Sequence, residues 1–158
     1  DPATEVEPDG RFTGTYQVAE GTFDPWLSAS PPGNGDLFSV FRTPEKDVPI
    51  TSFSLQVENQ ACRLILDTGA ELRASLDGSL TAGFVDSPFD VLGDYAASAK
   101  FAADGSLTIH FHWLNGWFET KMTFVKTEAG LHVTTWKLRL NTDDNYLVYH
   151  AEAKRTGA

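Results

Sequence analysis

The sequence contains one cysteine, Cys62, in 158 residues. A single thiol excludes an internal disulfide and a zinc cluster built from several cysteines. An inert, buried thiol is the expectation. No run of roughly 18 apolar residues occurs, the length a membrane-spanning helix needs. Cations are scarce, with 12 Lys plus Arg against 22 Asp plus Glu, a formal net charge of -10 and a sequence pI of about 4.6. A surface so short of Lys and Arg argues against nucleic acid or an anionic membrane as partner. The common catalytic signatures are missing too. There is no G-x-S-x-G elbow, S-x-x-K, H-E-x-x-H, phosphate-binding loop or G-x-G-x-x-G, and no cofactor is expected. Asp67-Thr68-Gly69 has the letters of the aspartic-protease triplet, but it stands as a single copy between two apolar runs and reads as a turn.

What is present is a succession of short runs rich in β-branched and aromatic residues, each ended by Gly, Asp, Asn or Pro. "RFTGTYQV", "DLFSVFR", "ITSFSLQV", "ACRLILD", "AELRASL" and "SLTAGFV" fill the first half. "DYAASAKFA", "SLTIHFHW", "WFETKMTFVK", "LHVTTWKLRL" and "YLVYHAEAK" form the second. Links such as "DTG", "DGS" and "LNG" suit hairpins. The length fits one domain able to bury roughly 70% of its unfolded surface without staples. The expected fold is all-β: a single antiparallel up-and-down barrel, with about 8–10 strands over residues 11–158. Residues 1–10, "DPATEVEPDG", read as a flexible acidic lead-in. The chain opens at Asp1 rather than Met, as a processed or excised piece would.

Strand parity assigns side chains to faces. In "SLTIHFHW", Leu107, Ile109, Phe111 and Trp113 should point inward, which sends His110 and His112 outward. The next run turns Phe118, Thr120, Met122 and Phe124 inward and Trp117, Glu119 and Lys121 outward. His110, His112 and Glu119 then share one wall and are the candidates for a metal; ordinary cross-strand contacts are the competing reading. In "GLHVTTWKLRL", Trp136, Leu138 and Leu140 are taken to choose the inner face, which carries His132 and Thr134 inward with them.

The expected ligand site is therefore the barrel interior, lined by Tyr16, Tyr95, Phe111, Trp113, Phe118, His132 and Trp136. Trp26 belongs to it through the Pro/Gly-rich connection "EGTFDPWLSASPPGNGD", which reads as a lid over one end. A small apolar or aromatic molecule suits such a lining. Two other functions are open. A cofactor-free isomerase, cyclase or hydratase would use His132, Tyr16 or Tyr95 as acid or base. A structural interaction domain, homodimeric or bound to a partner chain, would use Trp117 as its anchor.

At "GRFTGTYQV", and across "DYAASAKFAADGSLTIHFHWLNGWFETKMTFVKTEAGLHVTTWKLRL", the chain resembles a known domain type. This is the non-catalytic, lipocalin-like C-terminal β-barrel of β-lactamase-related, penicillin-binding-protein-like serine hydrolases. Gly14, Thr15 and Tyr16 match its G-x-Y opening; Trp117, Phe118, Glu119 and Thr120 match its W/F-x-E-T segment. The likeness spans the first strand and the last third of the chain. It implies a barrel of calycin, lipocalin-like type, an accessory domain whose hydrolytic activity resides on another chain or segment, since S-x-x-K is absent here. "FTGTYQV" also looks like the first strand of lipocalin and fatty-acid-binding barrels, although no helix-turn-helix pattern follows it.

Overall fold

The computed structural model describes residues 12–25, 50–58, 60–86, 93–114, 118–139 and 145–157. Every regular element among them is a strand. No helix there is long and apolar enough to cross a membrane. The expected run "DLFSVFR" and Trp26 lie outside the described residues.

Ten strands follow in chain order: β1 (Gly14–Gly21), β2 (Ser52–Glu58), β3 (Ala61–Leu66), β4 (Glu71–Ser75), β5 (Thr81–Phe84), β6 (Asp94–Phe101), β7 (Leu107–Trp113), β8 (Phe118–Lys126), β9 (Gly130–Arg139) and β10 (Asn145–Gly157). The sheet runs β4-β3-β2-β1-β10-β9-β8-β7-β6-β5, and Ser75 of β4 meets Ser98 of β6 to close the ring. The wall is thus a closed barrel of nine strands, with β5 an extra strand on the edge of β6. Every pair is antiparallel except β4–β6, which is parallel. That exception follows from arithmetic. Antiparallel neighbours alternate in direction, so an odd ring must contain one parallel contact.

Alternation decides what faces in. β7 reads buried, half-buried, buried from Leu107 to Trp113, and β6 does the same through Tyr95, Ala97 and Ala99. On β1, Gly14 and Tyr16 face the core, with Phe12 just before the strand. The turns use the chemistry their residues supply. Gly105 sits at φ +90°, a region open to glycine, and Asp104 accepts the Ser106 N–H through Oδ1 at 2.9 Å.

The closing seam depends on a side chain as well as on a ladder. The Arg73 N–H of β4 donates to the Tyr95 phenol oxygen of β6, 2.9 Å away. Tyr95 therefore crosses beneath β5 and satisfies a backbone donor that no strand partner takes up. Gly83 permits the crossing: a Cβ there would stand 2.6 Å from the Tyr95 oxygen and 2.7 Å from its Cζ. Gly83→Ala should force the ring aside and destabilise the fold by about 1–3 kcal/mol in urea unfolding, the usual cost of overpacking. Unaltered stability would contradict the role assigned to Tyr95.

Candidate functional site

The core forms two aromatic groups. Phe23, Phe53 and Tyr16 stack in succession, with centroid separations of 4.3 Å and 5.4 Å. Tyr95 meets both Phe111 and Trp113 edge-on, each at 5.9 Å. Such tilted and stacked pairs are worth about 0.5–1.5 kcal/mol each beyond their area. Their polar atoms are engaged locally. The Tyr16 hydroxyl donates to the Phe12 carbonyl at 2.9 Å, and Trp113 Nε1–H donates to Thr120 Oγ1 at 2.9 Å. Tyr16, Tyr95, Phe111 and Trp113 thus lie inside, at 3% exposure or less. Phe118 begins β8 opposite Arg139.

The inner face of β9 is Leu131, Val133 and Thr135. His132, Thr134 and Trp136 are half-buried on the outer face, a correction to the expected parity of that run. The pairings show why: Val133 lies opposite Phe124 and Thr135 opposite Met122, both inward on β8. With a period of two, choosing Trp136 as an inner residue inverts the whole strand. Trp136 instead forms a platform on the outside, with the Lys121 ammonium 4.5 Å from its ring centroid. His132 is consequently remote from an interior catalytic role beside Tyr16 or Tyr95. The inversion also brings Thr135 inward. It is fully buried, and its Oγ1 has no hydrogen-bond partner among the described residues.

Open space lies at the seam. A groove of about 370 Å³ runs between β4 and β5, with Tyr95, Val85 and Gly83 at its back and Phe84 and Arg73 at its sides. Phe84 is 69% exposed, and its ring lies against Gly93, where a Cβ would come within 2.6 Å of Cε2. One edge of the groove is ionic. Glu71 takes hydrogen bonds from Arg63 Nη2 and Arg73 Nε. The hydrogen bond from Arg63, then that from Arg73, holds the Glu71 carboxyl below the usual carboxylate range. Burial pushes the Tyr95 phenol up, so it stays protonated at neutral pH.

The outer wall carries all four histidines of the chain in two groups. His110 and His112 stack with ring centroids 4.4 Å apart. Glu119 lies opposite His112 and reaches both rings, with Oε1 2.8 Å from His112 Nδ1 and Oε2 3.3 Å from His110 Nε2. Desolvation by its neighbours pushes the His110 imidazole below its ordinary range, outweighing the pull of Glu119. The second group is His132, His150 and Glu152 on β9 and β10. Glu152 engages His132 Nδ1, while His150 Nδ1 lies 3.3 Å from His132 Nε2. Sequence reasoning missed His150 and Glu152, although alternation around inward Ala151 and Ala153 signals both. It missed Phe84 for a firmer reason: alternation gives no cause for a large apolar side chain to face out.

Two outcomes follow. Because the folded state lowers the Glu71 pKa, its ionised form favours folding. That contribution is complete above the unfolded glutamate value and disappears as pH falls through the lower folded value. Glu71→Gln should therefore flatten the acid limb of a stability–pH curve and leave its slope near neutrality unchanged. Thr135→Val removes a buried hydroxyl that lacks a partner, so urea unfolding should show stability unchanged or raised by up to about 1 kcal/mol. A loss of more than about 1 kcal/mol would mean that the hydroxyl is hydrogen-bonded.

No protein-family model matches the chain, and neither a curated protein nor a solved structure matches it.

Proposed function

We propose that this barrel binds a small apolar or aromatic molecule, held at the seam groove between β4 and β5 rather than deep inside the wall. The observation that carries the reading is Phe84, a large ring left 69% exposed on the edge of a 370 Å³ concavity. Small-molecule sites are concave and combine apolar surface with a few placed polar groups, and this groove is lined by Glu71, Arg73 and Asp86 as well as by Phe84, Val85 and Tyr95. Here Val85 and Tyr95 supply the apolar back, and the Glu71–Arg73 pair supplies a rim able to orient a polar end. An interior site has less in its favour, because the aromatic groups there pack on one another. Catalysis by Tyr16, Tyr95 and His132 has less still. Both hydroxyls engage backbone groups, and His132 stands on the opposite side of the wall. The hydrolase-like accessory role implied by Gly14-Thr15-Tyr16 and Trp117–Thr120 is compatible with this site, since binding needs no S-x-x-K.

Titration with an uncharged, environment-sensitive dye tests the reading. Saturable emission at one site per chain is expected, weakened at least tenfold in Phe84→Ala, a loss of about 1.4 kcal/mol or more. Phe84 is exposed, so that variant should keep its unfolding midpoint. Absence of saturable binding, or equal binding by Phe84→Ala, would reject the proposal.

A further inference from the structure

We propose that His110, His112 and Glu119 form a site for a divalent d-block cation of the zinc type on the outer wall of the barrel. The site lies apart from the seam groove, and strand geometry builds it. Residues two apart on β7 share a face, so both imidazoles leave the wall together, stacked at 4.4 Å. The β7–β8 register sets Glu119 directly across from His112, and its two oxygens address the two rings. One donor atom from each residue lies within 4.8 Å of the others. Tetrahedral ligands at zinc bond lengths sit about 3.4 Å apart. Convergence therefore needs a shift of roughly 1 Å in half-exposed side chains, which rotamer motion supplies.

The donor set selects the ion. Two neutral nitrogens and one carboxylate suit Zn²⁺, Co²⁺ or Ni²⁺, whereas Ca²⁺ and Mg²⁺ prefer oxygen throughout. Three protein ligands leave a fourth position for water, the arrangement of an open site. Neighbours on the other edge are short: β6 presents Ala96 opposite His112 and Ser98 opposite His110. The nearby cation is Lys121, opposite His110, and its ammonium is drawn aside over Trp136.

The second histidine group supplies a built-in control. There, Glu152 and His150 bind opposite nitrogens of the His132 ring. Carboxylate and second imidazole consequently face away from each other, and no single point is shared by three donors. Composition is the same in the two groups, so only convergence separates them.

The test uses the full chain without a histidine tag. Zn²⁺ is titrated calorimetrically at neutral pH, and Co²⁺ is followed by its visible d–d absorption. The expected result is one ion per chain. His112→Ala and Glu119→Gln should each weaken binding at least about tenfold, the scale on which even outer partners of metal ligands act. The joint replacement His132→Ala with His150→Ala should leave affinity unchanged. Circular dichroism and unfolding midpoints of each variant verify that the barrel is intact. The inference is overturned by absence of binding in the parent chain, by undiminished affinity in Glu119→Gln, or by loss of binding in the His132/His150 variant.

Discussion

Nine strands in a ring cannot all alternate in direction, and the consequences of that constraint run through the molecule. One contact must be parallel, and it falls between β4 and β6 at Ser75 and Ser98. Parallel strands cannot be joined by a tight hairpin. The chain between them travels through β5, which pairs with β6 but not in register with β4. On the seam side of β4 only Ser75 has a strand partner on β6, and the Tyr95 hydroxyl takes the Arg73 N–H. The seam is where main-chain pairing is thinnest, where a glycine is required, and where open space reaches the surface. Its groove is a product of the closure, and the Glu71 ion pairs on β3 and β4 border it.

The same alternation that closes the wall divides its chemistry. Inside are branched aliphatics and stacked aromatics, and the polar atoms of Tyr16, Tyr95 and Trp113 find partners close by. Outside are histidines, carboxylates and threonines in cross-strand rows. Three strands, β7, β9 and β10, carry every histidine of the chain on that outer surface. Inner packing holds the backbone rigid, so an outer cluster inherits fixed Cα positions. This is the scaffold that a site of convergent donors requires. The wall can in principle carry two functions, one at its seam and one on its face, without either disturbing the core.

Much of this was readable from residue order. Clear alternation in "TIHFHW" and "YAASAKF" placed Phe111, Trp113 and Tyr95 inward and His110 and His112 outward, because each run has one apolar and one polar face. Turn residues located the hairpins for the same local reason. β9 failed because both of its faces carry apolar residues. Leu131 and Val133 argue for one parity, Trp136 for the other, and only pairing with β8 decides between them. Phe84 and the seam were invisible for a different reason. A groove between β4 and β5 depends on β4 meeting β6 across the intervening β5, and no local pattern encodes that pairing. The Glu119 contact was legible through the hairpin; the His150 and Glu152 contacts required a register spanning a longer connection.

The closure itself is the central claim, and through-space proton contacts across the seam test it most directly. Nuclear Overhauser measurements on the isotopically labelled chain should connect backbone protons of Ser75 with those of Ser98, and the Arg73 amide with the Tyr95 ring. Cross-peaks at both places would establish a continuous wall. If neither appears while the β7–β8 and β8–β9 contacts are strong, the sheet is open, and the groove, the glycine requirement and the fixed outer face all lose their foundation.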